Sequence, residues 1–328
     1  STIETNTSLS KFKEQLFALK RAGWNTVSLS DFKSFMRGEL SLPQKSFLLT
    51  FDDGRKDSFY PVDPILKTLD YNAVMFVITD RSMHHTYTES SFYLSKDEIN
   101  FIINSGRWEI GSHGSSEHVF ITTGVDGKQG AFLGNKIWIS DLNRLESDEE
   151  YYGRLVDSMG EAKELLEASY GINIDNYAYP YGDYGQRSLN FSDAEQFVKR
   201  ASKEIYPYSY YQVSPNGGNE LFNFSNQPSE RFIRRLKVSA SYSGEKLVSL
   251  LSELSPKKLP YNTKSISIQD LYGHWGDVVQ EEQGAMIKSL DNNTSAFYSI
   301  AGSSLWSDYS VKASILEYSG EAISLVGY

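Results

Sequence analysis

The chain has 328 residues, of which 42 are acidic and 32 basic, so its net charge is −10 with the five histidines neutral. That balance argues against nucleic acid or an anionic membrane surface as a partner, and no apolar run approaches the ~20 residues of a transmembrane helix. With no cysteine, disulfides and thiolate metal sites are impossible, and any bound metal must rest on Asp, Glu and His. The opening STIETNTSLS has neither a basic start nor an apolar stretch, so no secretion signal is expected in it.

Helix and strand signals alternate through the first two thirds. Phe12, Leu16 and Leu19 recur at helical spacing in a segment that stops at Gly23, and a short helix is expected over 30–38. Phe47, Leu48, Leu49 and Phe51 form an apolar run that reads as a buried strand and stops at Gly54. A helical piece over 64–69 precedes the strand AVMFVI at 73–78. Ser95 with Glu98, and later Ser147 with Glu150, have capping-box spacing and open two further helices. The first of these ends at Gly106. The second carries Leu155, Met159, Ala162, Leu165 and Leu166 inward, and the acids 146–150 suit its N-terminal dipole. Short strands are expected at 108–110 and 176–180. His84 and His85 read as part of a polar surface loop. Alternation of this kind predicts parallel strands covered by helices, as a barrel or an open sheet.

From about Pro256 the texture changes. Strand-like patterns over 265–272, 295–300 and 309–328 follow one another without helices, and Tyr309, Val311, Ala313 and Ile315 alternate before a Ser319–Gly320 turn. The expected organisation is an α/β domain over 1–255 and a partial, sandwich-like all-β segment over 256–328, with too few strands for a complete sandwich of about seven. Trp275 and Trp306 there suit a carbohydrate-binding module or a sandwich core equally.

Loops after the C-terminal ends of parallel strands are where α/β folds carry chemistry. Three strand ends here are polar and unusual: TFDDG at 50–54, SHGSSEH at 112–118 and AYPYG at 178–182. Adjacent aspartates at the end of a buried strand repel one another unless a cation, a chemical role or bulk water relieves them. Two histidines and one carboxylate make a compact divalent site with open positions. A cation there acidifies water, and a second carboxylate is then placed to accept the proton. Tyr179, Tyr181 and Tyr184 are aromatic candidates to line a ligand groove, with core packing equally open for Tyr179.

Together, in this order, the three motifs resemble the polysaccharide deacetylases of the NodB-type carbohydrate esterase family, most of all the branch acting on N-acetylglucosamine polymers of biofilms and cell envelopes. The likeness covers about residues 10–250 and includes the segment FKEQLFALKRAGWNTVSLSDF at 12–32. It implies a deformed (β/α) barrel, a divalent ion (Zn2+, with Co2+ or Ni2+ as alternatives) and hydrolysis of N-acetyl groups from an acetylated polysaccharide outside the cell or in the envelope of a bacterium. Carried over by position, Asp52 matches the general base, Asp53, His113 and His118 the metal ligands, and Tyr181 the residue whose backbone N–H helps hold the oxyanion. Pro180, Tyr184, Arg154 and Arg235 are the expected substrate-side residues. Ala178 stands where many relatives carry an arginine, so Arg154 or Arg235 is expected to orient Asp52, and no residue matches the family's acid histidine. Two other readings remain: a sugar-binding protein without turnover on the same scaffold, and a deacetylase of peptidoglycan or of an O-acetyl ester.

Overall fold

A computed structural model describes residues 7–83, 90–213 and 225–253, and beyond them 257, 259–262, 271–289, 295–300, 302–303, 306 and 308–324. His84, His85 and most of the strand expected over 265–272 lie outside the described residues. The chain divides into two compact units with the main break near Val248.

In the larger unit six strands form one sheet: β1 Thr50–Phe51, β2 Ala73–Val77, β3 Trp108–Ser112, β4 Asn176–Ala178, β5 Tyr208–Val213 and β6 Phe232–Leu236. Every pairing is parallel and the spatial order is the chain order, β1 to β6. A doubly wound sheet would reverse at a switch point. Purely sequential order carries each right-handed crossover the same way and curls the sheet toward a barrel. Helices Asp63–Leu69, Lys96–Asn104, Asp148–Tyr170 and Ala194–Ile205 fill the first four crossovers.

Strand β2 explains the layering. All five of its residues are at most 1% exposed, as expected where helices cover both faces of a parallel sheet. On one face Leu29, Phe32 and Met36 of helix Leu29–Met36 pack with Val74, Phe76, Tyr208, Tyr210 and Ile233. Beyond the site, Leu155, Met159, Ala162 and Leu166 of the long helix are fully buried. Both capping boxes form, with each serine accepting the N3 amide and each glutamate accepting the serine's own N–H.

Two departures from the sequence pattern matter. The run 47–51 is not one strand. Ser46–Phe47 pairs with Asn25–Thr26, and only Thr50–Phe51 enters the main sheet. Between His118 and the long helix, a stretch without strong periodicity makes two small antiparallel pairs, Phe120–Thr122 with Gln129–Ala131 and Trp138–Ile139 with Arg144–Leu145.

In the smaller unit, Leu271–Trp275 pairs antiparallel with Phe297–Ile300, and Asp277–Glu281 with Gly284–Lys288. The strand expected from Tyr309 onward is corrected: residues 309–324 are in no strand, and Val311, Ile315, Leu316 and Tyr318 are exposed. Alternation makes a strand only where an edge accepts its hydrogen bonds, and none pairs with this segment among the described residues. Its last four residues, 325–328, lie outside them.

Gly111 on β3 sits where the sheet's packing leaves no room for a side chain. A Cβ there would stand 2.6 Å from the ring of Phe76 and 3.0 Å from the Asn176 carbonyl. Gly111→Ala is therefore expected to cost about 1–3 kcal/mol through overpacking, read as a lower midpoint in thermal or denaturant unfolding; an unchanged midpoint contradicts this packing.

Candidate active site

Four strand ends converge at the C-terminal edge of the sheet. Asp52 and Asp53 follow β1, His113 and His118 follow β3, Pro180 and Tyr181 follow β4, and Arg235 lies near the end of β6. Asp53 adopts a left-handed backbone, φ 73°, and so does Tyr181, φ 58°. Non-glycine residues enter this region at a cost, and both do so where a strand turns into the site.

Arg235 holds Asp52 with both arms: Nη1 donates to Oδ1 at 2.7 Å and Nη2 to Oδ2 at 3.0 Å. Nη1 also reaches the Thr50 hydroxyl at 3.2 Å. Burial is the largest influence on Asp52 and pushes its carboxyl up, yet the Arg235 guanidinium, aided by His113, outweighs it and holds the group at about 2. Asp52 is ionised at neutral pH.

Asp53 faces the histidines. Its Oδ1 is 3.5 Å from His113 Nε2 and 3.8 Å from His118 Nε2. His113 Nδ1 is 2.7 Å from the Ala178 carbonyl. A carbonyl only accepts, so Nδ1 carries a proton there and Nε2 is the ring nitrogen that faces Asp53. Burial, aided by the neighbouring His113, pushes His118 down to about 2, leaving a neutral imidazole. Both its nitrogens are buried without a hydrogen-bond partner, an orphaning that calls for a ligand. Burial raises Asp53; His113 opposes this and Asp52 adds to it.

One ligand atom from each of Asp53, His113 and His118 can be chosen so that all lie within 4.8 Å of one another. Nitrogen and oxygen ligands ~2.0–2.1 Å from a tetrahedral zinc ion stand roughly 3.3 Å apart, close to the separations seen here. A neutral histidine with a free lone pair, a second fixed in its tautomer by a backbone carbonyl and a carboxylate raised by burial are chemically matched to a divalent cation. The residues fit.

Glu117 secures the loop that carries both histidines. Its carboxylate accepts the Ser115 N–H, and a Cβ on Gly114, φ 78°, would stand 2.3 Å from Glu117 Oε2. Only glycine fits there.

The remaining sequence candidates divide. Tyr181 donates its hydroxyl to the His118 carbonyl at 3.0 Å, with its ring centroid 5.5 Å from that of His118. Its backbone N–H has no hydrogen-bond partner among the described residues. Pro180 is buried in the turn before it. Tyr184 turns away into a cluster with Phe232 at 5.0 Å and Tyr211 at 5.3 Å, and Tyr179 is fully buried. Arg154 is not at Asp52: it makes a two-point pair with Glu146, 2.8 Å at each contact, and donates to the carbonyls of Phe132 and Asn135. Glu146 is thereby a structural partner of Arg154 and not merely part of the helix's acidic start. Three residues beside the site escaped the sequence reading. Exposed Arg81, after β2, acts electrostatically on both His118 and Tyr181. Glu117 was visible as the one acid inside SHGSSEH. Phe120 follows His118 by two positions, and its ring lies 5.6 Å from that of Tyr181.

Comparison with known proteins fits this geometry. Residues 40–197 match the family described as polysaccharide deacetylase. A poly-β-1,6-N-acetyl-D-glucosamine N-deacetylase of Escherichia coli K12 is 25% identical over 183 residues, 53% of this chain and 27% of that protein; the match thus spans about a quarter of the curated relative's length. Among solved structures, a de-N-acetylase from Aggregatibacter actinomycetemcomitans superposes with a TM-score of 0.61 at 23% identity, covering 73% of this chain and 88% of that one. The BpsB deacetylase domain from Bordetella bronchiseptica gives 0.55 at 23% identity, covering 72% and 86%. The fold they share with this chain is the deformed (β/α) barrel. Residues 40–197 thus carry a polysaccharide deacetylase domain.

Equilibrium dialysis against zinc should find one tightly held ion per wild-type chain and per Asp52→Asn chain, whereas Asp53→Ala and His113→Ala should weaken binding by more than about 100-fold. Equal loss in Asp52→Asn would put Asp52 among the ligands and contradict the division between the two aspartates.

Proposed function

We propose that this domain hydrolyses N-acetyl groups of an N-acetylglucosamine-containing polysaccharide, releasing acetate and leaving glucosamine. The observation that carries the reading is the unlike treatment of two adjacent aspartates: Asp53 faces both histidines with one oxygen, while Asp52, 3.9 Å from His113 Nε2, has both its oxygens held by Arg235. The substrate class is suggested by the names of the Escherichia coli relative and of the superposing de-N-acetylase.

A divalent cation held by Asp53, His113 and His118, with Zn2+ suited to this donor set and Co2+ or Ni2+ able to replace it, supplies Lewis-acid polarisation of the acetamide carbonyl and acidifies water. Asp52 receives the proton of the attacking water. A carboxyl held at about 2 is a weak base, so its part is to stand ionised and fixed in direction before the attack and to carry the proton only in passing, with the driving force supplied by the acidified donor. Arg235 keeps both its oxygens in one plane and one place. As the carbonyl carbon becomes tetrahedral, the Tyr181 N–H donates to the developing oxyanion, and the left-handed backbone there sets its direction. The protonated Asp52, being strongly acidic, then returns its proton to the departing nitrogen, so one carboxylate serves both steps in place of a second acid. Bacterial envelope or extracellular matrix is the setting that such a substrate implies.

Acetate release should be assayed with β-1,6-linked N-acetylglucosamine oligomers, peptidoglycan fragments and O-acetylated glycans. Turnover of the first by the zinc-loaded chain is expected, falling by about 10²–10⁴ in Asp52→Asn. Turnover of only the other two would shift the substrate, and none on any would favour the sugar-binding alternative.

A further inference from the structure

We propose that the exposed faces of Phe120 and Tyr181 form a stacking subsite for a pyranose ring of the polymer, flanking the sugar whose acetamide reacts. This rests on the function proposed above and deepens it. The Tyr181 ring, its centroid 5.5 Å from that of His118, belongs to a residue 46% exposed, and Phe120 next to it is 61% exposed. The rings of Tyr181 and Phe120 lie 5.6 Å apart at 38°, so two large aromatic surfaces stand side by side in water, continuous with the site.

Neither ring is loose. Tyr181 is fixed by its left-handed backbone and by its hydroxyl on the His118 carbonyl. Phe120 sits opposite Ala131 in the small antiparallel pair. Thr123 N–H closes that hairpin on the Lys128 carbonyl at 2.8 Å, and Asn190 Nδ2 donates to the Thr123 carbonyl at 3.0 Å. Gly130 packs so tightly that a Cβ would meet Asn135 at 2.6 Å. Water-exposed aromatics on a braced backbone are the mark of a recognition surface, and fixing them beforehand removes the ordering cost from binding. The ligand that matches is a ring with an apolar C–H face and polar edges, a pyranose, because the aromatic faces accept its C–H groups while its hydroxyls stay in water. Phe120 lies outward of Tyr181, whose backbone N–H serves the reacting acetamide, so the stacked ring is a neighbour of the reacting one.

The test is calorimetric binding of a β-1,6-linked N-acetylglucosamine pentamer to the zinc-loaded Asp52→Asn chain, which holds substrate without turning it over. Adding Phe120→Ala should raise Kd about tenfold, whereas Phe120→Trp should stay within about twofold of the parent. Thermal midpoints should be unchanged, since Phe120 is largely exposed. A pentamer Kd equal in Phe120→Ala and its parent, or no binding by the parent, overturns the subsite. The two proposals fail separately. Phe120-dependent binding without acetate release from the Asp52-intact chain removes the hydrolase and keeps the subsite; acetate release with the same KM in Phe120→Ala removes the subsite and keeps the hydrolase.

Discussion

Two carboxylates on consecutive residues at a strand end cannot both face the same dry point unless each meets positive charge. Everything else at this site follows from how Asp52 and Asp53 are kept apart. Asp52 is met by a guanidinium through two hydrogen bonds. Asp53, turned by its left-handed backbone, is met by the Nε2 atoms of two imidazoles. The first aspartate is satisfied by the protein; the second stands in a cluster that could hold a cation.

That solution depends on the global fold. Arg235 belongs to β6 and Asp52 follows β1, the first and last strands of a sheet in sequential order. In a flat sheet of six strands at about 4.8 Å spacing their ends would be roughly 24 Å apart. The curl toward a barrel brings them within hydrogen-bonding distance, and Arg235 donates to Thr50 of β1 as well. No such curvature is needed for His113: β3 and β4 are paired neighbours, and the Ala178 carbonyl at the end of β4 accepts from His113 Nδ1 just beyond β3. Ala178 has no side chain that could steer Asp52, yet its backbone orients a candidate ligand.

The three polar strand ends were readable because motifs at strand ends are local in sequence and the apolar runs before them are unambiguous. The capping boxes and the inward face of the long helix were equally legible, being set by spacing alone. The partner of Asp52 was not. Arg154 and Arg235 look alike in sequence, and only the sheet's curl brings one of them to the aspartate, while Glu146, eight residues before Arg154, claims the other. Phe120 was hidden for a different reason: three-residue strands carry too little periodicity to announce a hairpin. The alternation after Tyr309 misled because a pattern specifies faces, whereas strand formation also needs a neighbouring edge.

A single cation is expected on Asp53, His113 and His118, with Asp52 off it in the grip of Arg235. Anomalous diffraction at the zinc edge from crystals of the zinc-loaded chain measures this directly. One peak is expected about 2.0–2.2 Å from a donor atom of each of the three residues, with both Asp52 oxygens still on the guanidinium. A peak ligated by Asp52, or no peak among these residues, would contradict the account.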